Sequence, residues 1–159
     1  MAFWRRQHAD RLLVVLLADT HCGHKLSLLN PKTELLDEQG TTYRPRLIET
    51  QRYLWDLYLS HIDSIADLAD GCRIIVVHDG DLTQGDKYTA HLALNLIHDQ
   101  IIGATWNLRP WYEDRRLNVT HVRIIAGTAS HTWEASSEVL AAQRLAEQYP
   151  DVDTRPLYH

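Results

Sequence analysis

Three polar clusters in this chain each follow an apolar run, and their residue types are those that hold divalent metal ions. The first is Asp19-Thr20-His21, after Leu12-Leu13-Val14-Val15-Leu16-Leu17-Ala18. The second is Asp79-Gly80-Asp81, after Arg73-Ile74-Ile75-Val76-Val77-His78. The third is Gly127-Thr128-Ala129-Ser130-His131, after the run Val119 to Ala126. Carboxylate with imidazole suits borderline ions such as Mn, Fe or Zn better than Ca or Mg. One carboxylate shared between two ions makes a two-metal site, with the ions about 3.5–4 Å apart. Such a pair activates a water and clamps the oxygens of a phosphoryl group during in-line attack.

These groups act together only if the fold gathers them. The first two runs read as buried parallel strands and the third as a further strand. Leu47, Leu54, Tyr58, Ile62, Ile65 and Ala69 recur at helical spacing, giving a long amphipathic helix that Gly71 stops. Leu94, Ile97, Ile101, Ala104 and Leu108 mark a second helix with Pro110 beyond its end, and a third runs from about Ser136 to Tyr149. The order β-α-β-α-β-α predicts an α/β fold, a parallel sheet with helices covering it. All strands of such a sheet end along one edge, where open α/β sheets bind ligands. Strand alternation would aim Asp19 and His21 to the same side of that edge.

Two segments fall outside this pattern. Gly23 to Pro45, interrupted by Asn30-Pro31 and Gly40, is long for a connection without regular structure. It reads equally as a binding loop or as a plain surface excursion. The tail, Asp151 to His159, is too short to finish an element and reads at most as the beginning of another strand.

A chain of 159 residues with 45% hydrophobic and 23% charged residues has the size and balance of one soluble globular domain. The net charge of −5 argues against non-specific nucleic-acid binding. It leaves phosphate substrates open, nucleic acid among them, because bound ions reverse the local field. Two cysteines without a CxxC pair make no disulfide framework and fit a reducing cytoplasm. The first apolar stretch is too short to span a bilayer and lacks a small-residue cleavage site, so no membrane partner is expected.

Asp19-Thr20-His21, Gly80-Asp81 and a Gly-rich turn bearing a histidine, in that order, resemble the calcineurin-like metallophosphoesterases. The third motif is more similar to that of a divergent branch among phage, prophage and uncharacterised bacterial proteins, where it reads G-T-x-x-H. The resemblance covers most of the chain and is specific in the first two motifs. It implies that Asp19 and His21 bind one metal and that Asp81 bridges to a second, one or two ions per site. It also implies that Gly80 admits the backbone closely and that His131 is the catalytic histidine. Thr128 stands where the family has a metal-binding Asn, and His131 lies two residues later than the family histidine. The family completes its site with a later histidine and a G-H-x-H pair, and it packs two sheets face to face. The chain supplies neither, so the resemblance implies a single domain over residues 1–159 that is an N-terminal portion of a longer protein or a truncated product. A half-sandwich would expose apolar sheet surface and tend to associate.

Each residue also has a plainer reading. Asp19 and His21 could be a cap and a loop histidine, and Asp81 a turn residue. Asp79 competes with Asp81, which is preferred because Gly80 precedes it as in the motif. His24 reads as a solvated loop residue before it reads as a substrate contact. His78 reads as a satisfied buried histidine before a partner to a ligand carboxylate. Cys22, Trp55 and Trp111 read as packing residues. Function is therefore expected to be hydrolysis of phosphomonoesters or phosphodiesters. The alternatives are a non-catalytic metal- or phosphate-binding remnant of that fold, or another metal-dependent hydrolase.

Overall fold

The computed structural model describes residues 11–87, 89–127 and 137–157. Its centre is a four-stranded, all-parallel sheet of β1 (Leu12–Leu17), β4 (Arg73–Asp79), β5 (Asn118–Ile125) and β6 (Asp153–Leu157), in that spatial order. The helices are α1 (Glu49–Ala69), α2 (Ile97–Leu108), the single turn α3 (Pro110–Glu113) and α4 (Ser137–Gln148). The expected α/β architecture is present. Pro110 does more than end α2: its missing N–H and fixed φ suit the first position of α3. The long helix ends where Asp70 turns left-handed at φ 46°, one residue before Gly71.

The tail corrects the sequence reading. Residues Asp153–Leu157 form the fourth parallel strand, paired with β5 from His121↔Asp153 to Ile125↔Leu157. Pro156 is tolerated there because β6 lies at the sheet edge.

Strand order matches chain order, and that fixes which face is covered. Each right-handed crossover steps to the next strand in the same direction, so every connection passes over the same face. On that face Val15, Ile74, Val76, Val122 and Ile124 join Ile62 and Ala66 of α1, Ile101 and Leu108 of α2, and Ala141 and Leu145 of α4 in one core. On the other face Leu12, Val14 and Leu16 are 49%, 52% and 73% exposed. The first run is thus an edge strand covered on one side, and the expectation of a fully buried strand was too strong. The open face changes character across the sheet. Beyond the apolar side chains of β1 it carries Asp153, bonded at 2.7 Å by both Arg123 and Arg155.

The stretch after β1 is more ordered than its composition suggests. It holds a small antiparallel pair, β2 (Leu35–Leu36) with β3 (Thr42–Tyr43), and buries Leu29 and Leu35. Asn107 of α2 clamps it, accepting from Asn30 N–H at 2.7 Å and donating to the Leu28 carbonyl at 2.9 Å. Trp55 and Trp111 pack as expected, and Trp111 Nε1 donates to Tyr58 Oη at 2.6 Å. Among the described residues no helix is long and apolar enough to cross a membrane.

Candidate metal centre

The regular part of β1 stops at Leu17, yet its backbone stays bonded to the segment leaving β4. Asp19 N–H donates to Gly80 O at 3.4 Å and His21 N–H to Asp81 O at 2.9 Å. Cys22 N–H then reaches Leu82 O, and Gln84 N–H reaches Cys22 O, both at 2.9 Å. The two motifs are therefore joined through their main chains.

Asp19, His21 and Asp81 all adopt left-handed backbone, with φ of 54°, 43° and 50°. Non-glycine residues held there cost on the order of 1–3 kcal/mol each and cluster at functional sites. These three turns bring one ligand atom from each residue within 4.8 Å of the other two. His21 Nε2 lies 3.5 Å from Asp19 Oδ1. Ligand atoms at about 2.0–2.2 Å from a shared ion lie about 3.3–4.4 Å apart, a range that the His21–Asp19 separation already meets. The donor set, two carboxylates and an imidazole, fits a borderline divalent ion. Strand alternation was expected to align Asp19 with His21, but positive φ at both residues is what does so. Asp79 ends β4 exposed and is not part of the trio.

The end of β5 arrives at the same place. A Cβ on Gly80, itself at φ 79°, would sit 2.8 Å from Gly127 Cα. A Cβ on Gly127 would sit 2.4 Å from Asp81 N and 2.5 Å from Asp81 Oδ1. The two glycines let the third strand end touch the Asp81 turn. His131 and Thr128, named from the sequence, lie outside the described residues.

No protein-family model, curated protein or solved structure matches this chain.

Behind the trio, Thr20 is anchored from both sides. Its hydroxyl donates to Leu82 O at 3.2 Å and so must accept from His78 Nε2 at 2.9 Å. That assigns the His78 proton to Nε2 and leaves a bare lone pair on Nδ1, which has no partner among the described residues. Burial pushes the His78 pKa down to about 4, against the pull of the Asp19 and Asp81 carboxylates. His78 is a neutral buried histidine, but it holds Thr20 and not a carboxylate.

In front of the trio lies a cavity of about 610 Å³, lined by Asp19 and His21 together with His24, Leu26, Leu28, Leu54 and His91 among others. His24 is half-buried, where the sequence favoured a solvated residue. Gln51 Nε2 of α1 reaches the His24 carbonyl at 3.4 Å, and Leu26 N–H donates to His24 Nδ1 at 3.0 Å. Burial first, then the neighbouring His91, His21 and Lys25, lower the His24 pKa. His91 was missed because it belongs to no motif. It reaches the cavity because the His24 segment pairs with its own, Lys25 N–H donating to His91 O at 2.9 Å. Cys22 is fully buried behind this wall, as expected, and burial pushes its thiol pKa up to about 12.

Proposed function

We propose that Asp19, His21 and Asp81 bind one divalent ion of the Mn, Fe or Zn type, and that the chain hydrolyses phosphate esters as the metallophosphoesterases do. The observation that carries this reading is the convergence of three ligand atoms within 4.8 Å, each residue on left-handed backbone. Two carboxylates drawn so close repel each other unless a cation lies between them. The likeness of the motifs to the metallophosphoesterases supports phosphoryl chemistry over other hydrolysis.

When bound, the ion supplies Lewis acidity and a water of lowered pKa. Asp19 and Asp81 contribute carboxylate oxygens and negative charge, and His21 contributes a ring nitrogen. Thr20, fixed by His78 and Leu82, keeps the first two ligands at a set separation. By its place in the third motif, His131 would protonate the leaving group or orient the phosphate. A second ion would need donors from beyond this trio, with the Thr128 hydroxyl standing where an amide is usual. Free, buried Cys22 and Cys72 agree with a reducing cytoplasm. One observation favours the non-catalytic alternative: among the described residues no fourth His, Cys, Asp or Glu joins the group.

The test is metal-stripped protein titrated with Mn, read as bound metal and as hydrolysis of an aryl phosphodiester. Wild type should bind Mn and turn over, and Asp81→Asn should lose at least tenfold in both. Equal metal binding by wild type and Asp81→Asn overturns the assignment. Mn binding without turnover selects the non-catalytic reading.

A further inference from the structure

The cavity in front of the trio shares Asp19 and His21 with the candidate metal centre, so a phosphoryl group held by the ion opens directly into it. Its volume of about 610 Å³ lies well within the range of small-molecule sites, roughly 300–1,000 Å³. A phosphoryl group alone leaves most of that space unfilled. The remaining lining is unlike a phosphate cradle. Beside Ala18, Thr20, Ser27 and Gln84 it offers Leu26, Leu28 and Leu54 with two imidazoles, His24 and His91, whose ring centres lie 5.8 Å apart and whose planes are tilted by 38°.

Apolar side chains with flat rings favour a planar aromatic group, which gains from both burial and ring contact. His24 adds direction. Its Nδ1 accepts from Leu26 N–H, which places the ring proton of the neutral imidazole on Nε2. That N–H has no partner among the described residues, so it remains available to an oxygen or nitrogen of a ligand. Behind it, Gln51 Nε2 of α1 reaches the His24 main-chain carbonyl and so holds the backbone that carries the ring.

Resting on the phosphoesterase reading, we propose that this cavity is the subsite for the organic arm of the ester and selects a planar aromatic arm, with His24, His91, Leu26 and Leu54 as the specificity-determining residues. The shared chemistry is an aromatic ring carried on a phosphate, and it has two sources, a simple aryl phosphate or a nucleotide.

Calorimetric binding to Mn-loaded full-length protein separates the cases, using inorganic phosphate, methyl phosphate, phenyl phosphate and adenosine monophosphate as probes. Phenyl phosphate or adenosine monophosphate should bind at least tenfold tighter than methyl phosphate. Whichever of the two binds more tightly names the source. His91→Ala and Leu26→Ser, both at exposed positions, should each cut the aromatic-to-methyl ratio by threefold or more. Equal binding of phenyl, adenosine and methyl phosphates overturns this subsite while leaving the metal site intact. A preference that both variants retain also overturns it, because the ring then sits elsewhere. Failure of inorganic phosphate to bind the Mn-loaded protein overturns the phosphoesterase reading, and the subsite with it.

Discussion

Thr20 Oγ1 and His78 Nε2 lie 2.9 Å apart, so a histidine near the end of β4 grips the residue between Asp19 and His21. The same hydroxyl reaches Leu82 O, one residue past Asp81. A single threonine thus ties the two halves of the trio together. Thr20→Val keeps the shape and removes the hydroxyl, leaving a buried ring N–H unpaired. A loss of about 1–3 kcal/mol in urea unfolding is expected, together with weaker Mn binding. Thr20→Ser, which keeps the oxygen, should recover most of both.

Gly127 is the contact by which the third strand end reaches Asp81. A methyl group there meets the Asp81 backbone at 2.4 Å, and backbone cannot swing aside as a flexible side chain does. Gly127→Ala should therefore displace the Asp81 turn. The expected result is at least a tenfold loss of Mn affinity by calorimetry, with a lowered thermal midpoint. Unchanged affinity would show that the turn can shift without cost to the trio.

Burial lowers the His78 pKa from its ordinary 6.5 to about 4. The unfolded chain takes up this proton below pH 6.5, while the folded protein resists until about pH 4. Stability is therefore unaffected above pH 6.5 and falls as pH drops from 6.5 to 4, by roughly 3 kcal/mol from this group. Urea unfolding of metal-free protein between pH 7 and 4.5 measures the slope. His78→Gln should flatten it, since no proton is then taken up at that position.

The one-sided sheet predicts opposite outcomes for apolar residues on its two faces. Ile74 is fully buried under the helices and Leu16 is 73% exposed on the open face. Ile74→Ala should cost about 2–5 kcal/mol. Leu16→Ser should stay within about 0.5 kcal/mol of wild type and, by sedimentation, reduce any concentration-dependent association.

The alternation of apolar runs and helical spacing was enough to place three strands, three long helices and the parallel order, because those patterns report local geometry. Asp19, His21 and Asp81 were legible as candidates because each is a chemically capable residue close after an apolar run, and the structure gathers the three. What the runs could not show was coverage. Leu12-Leu13-Val14-Val15-Leu16-Leu17 is apolar on both faces, and only the strictly sequential strand order left one face of it open. Nor could they reveal β6, whose five residues gain their structure from pairing with β5 and not from their own pattern.

The sequence by itself determined the polar residue types, the strand ends that carry them and the α/β class, since each is a property of residues near one another in the chain. Tertiary structure alone decided the rest. It set left-handed backbone at Asp19, His21 and Asp81, the Gly80–Gly127 contact, the Thr20–His78 anchor and the imidazole wall of His24 and His91. Those relations join residues tens of positions apart, and their distances are fixed by main-chain pairing and packing that no local pattern encodes.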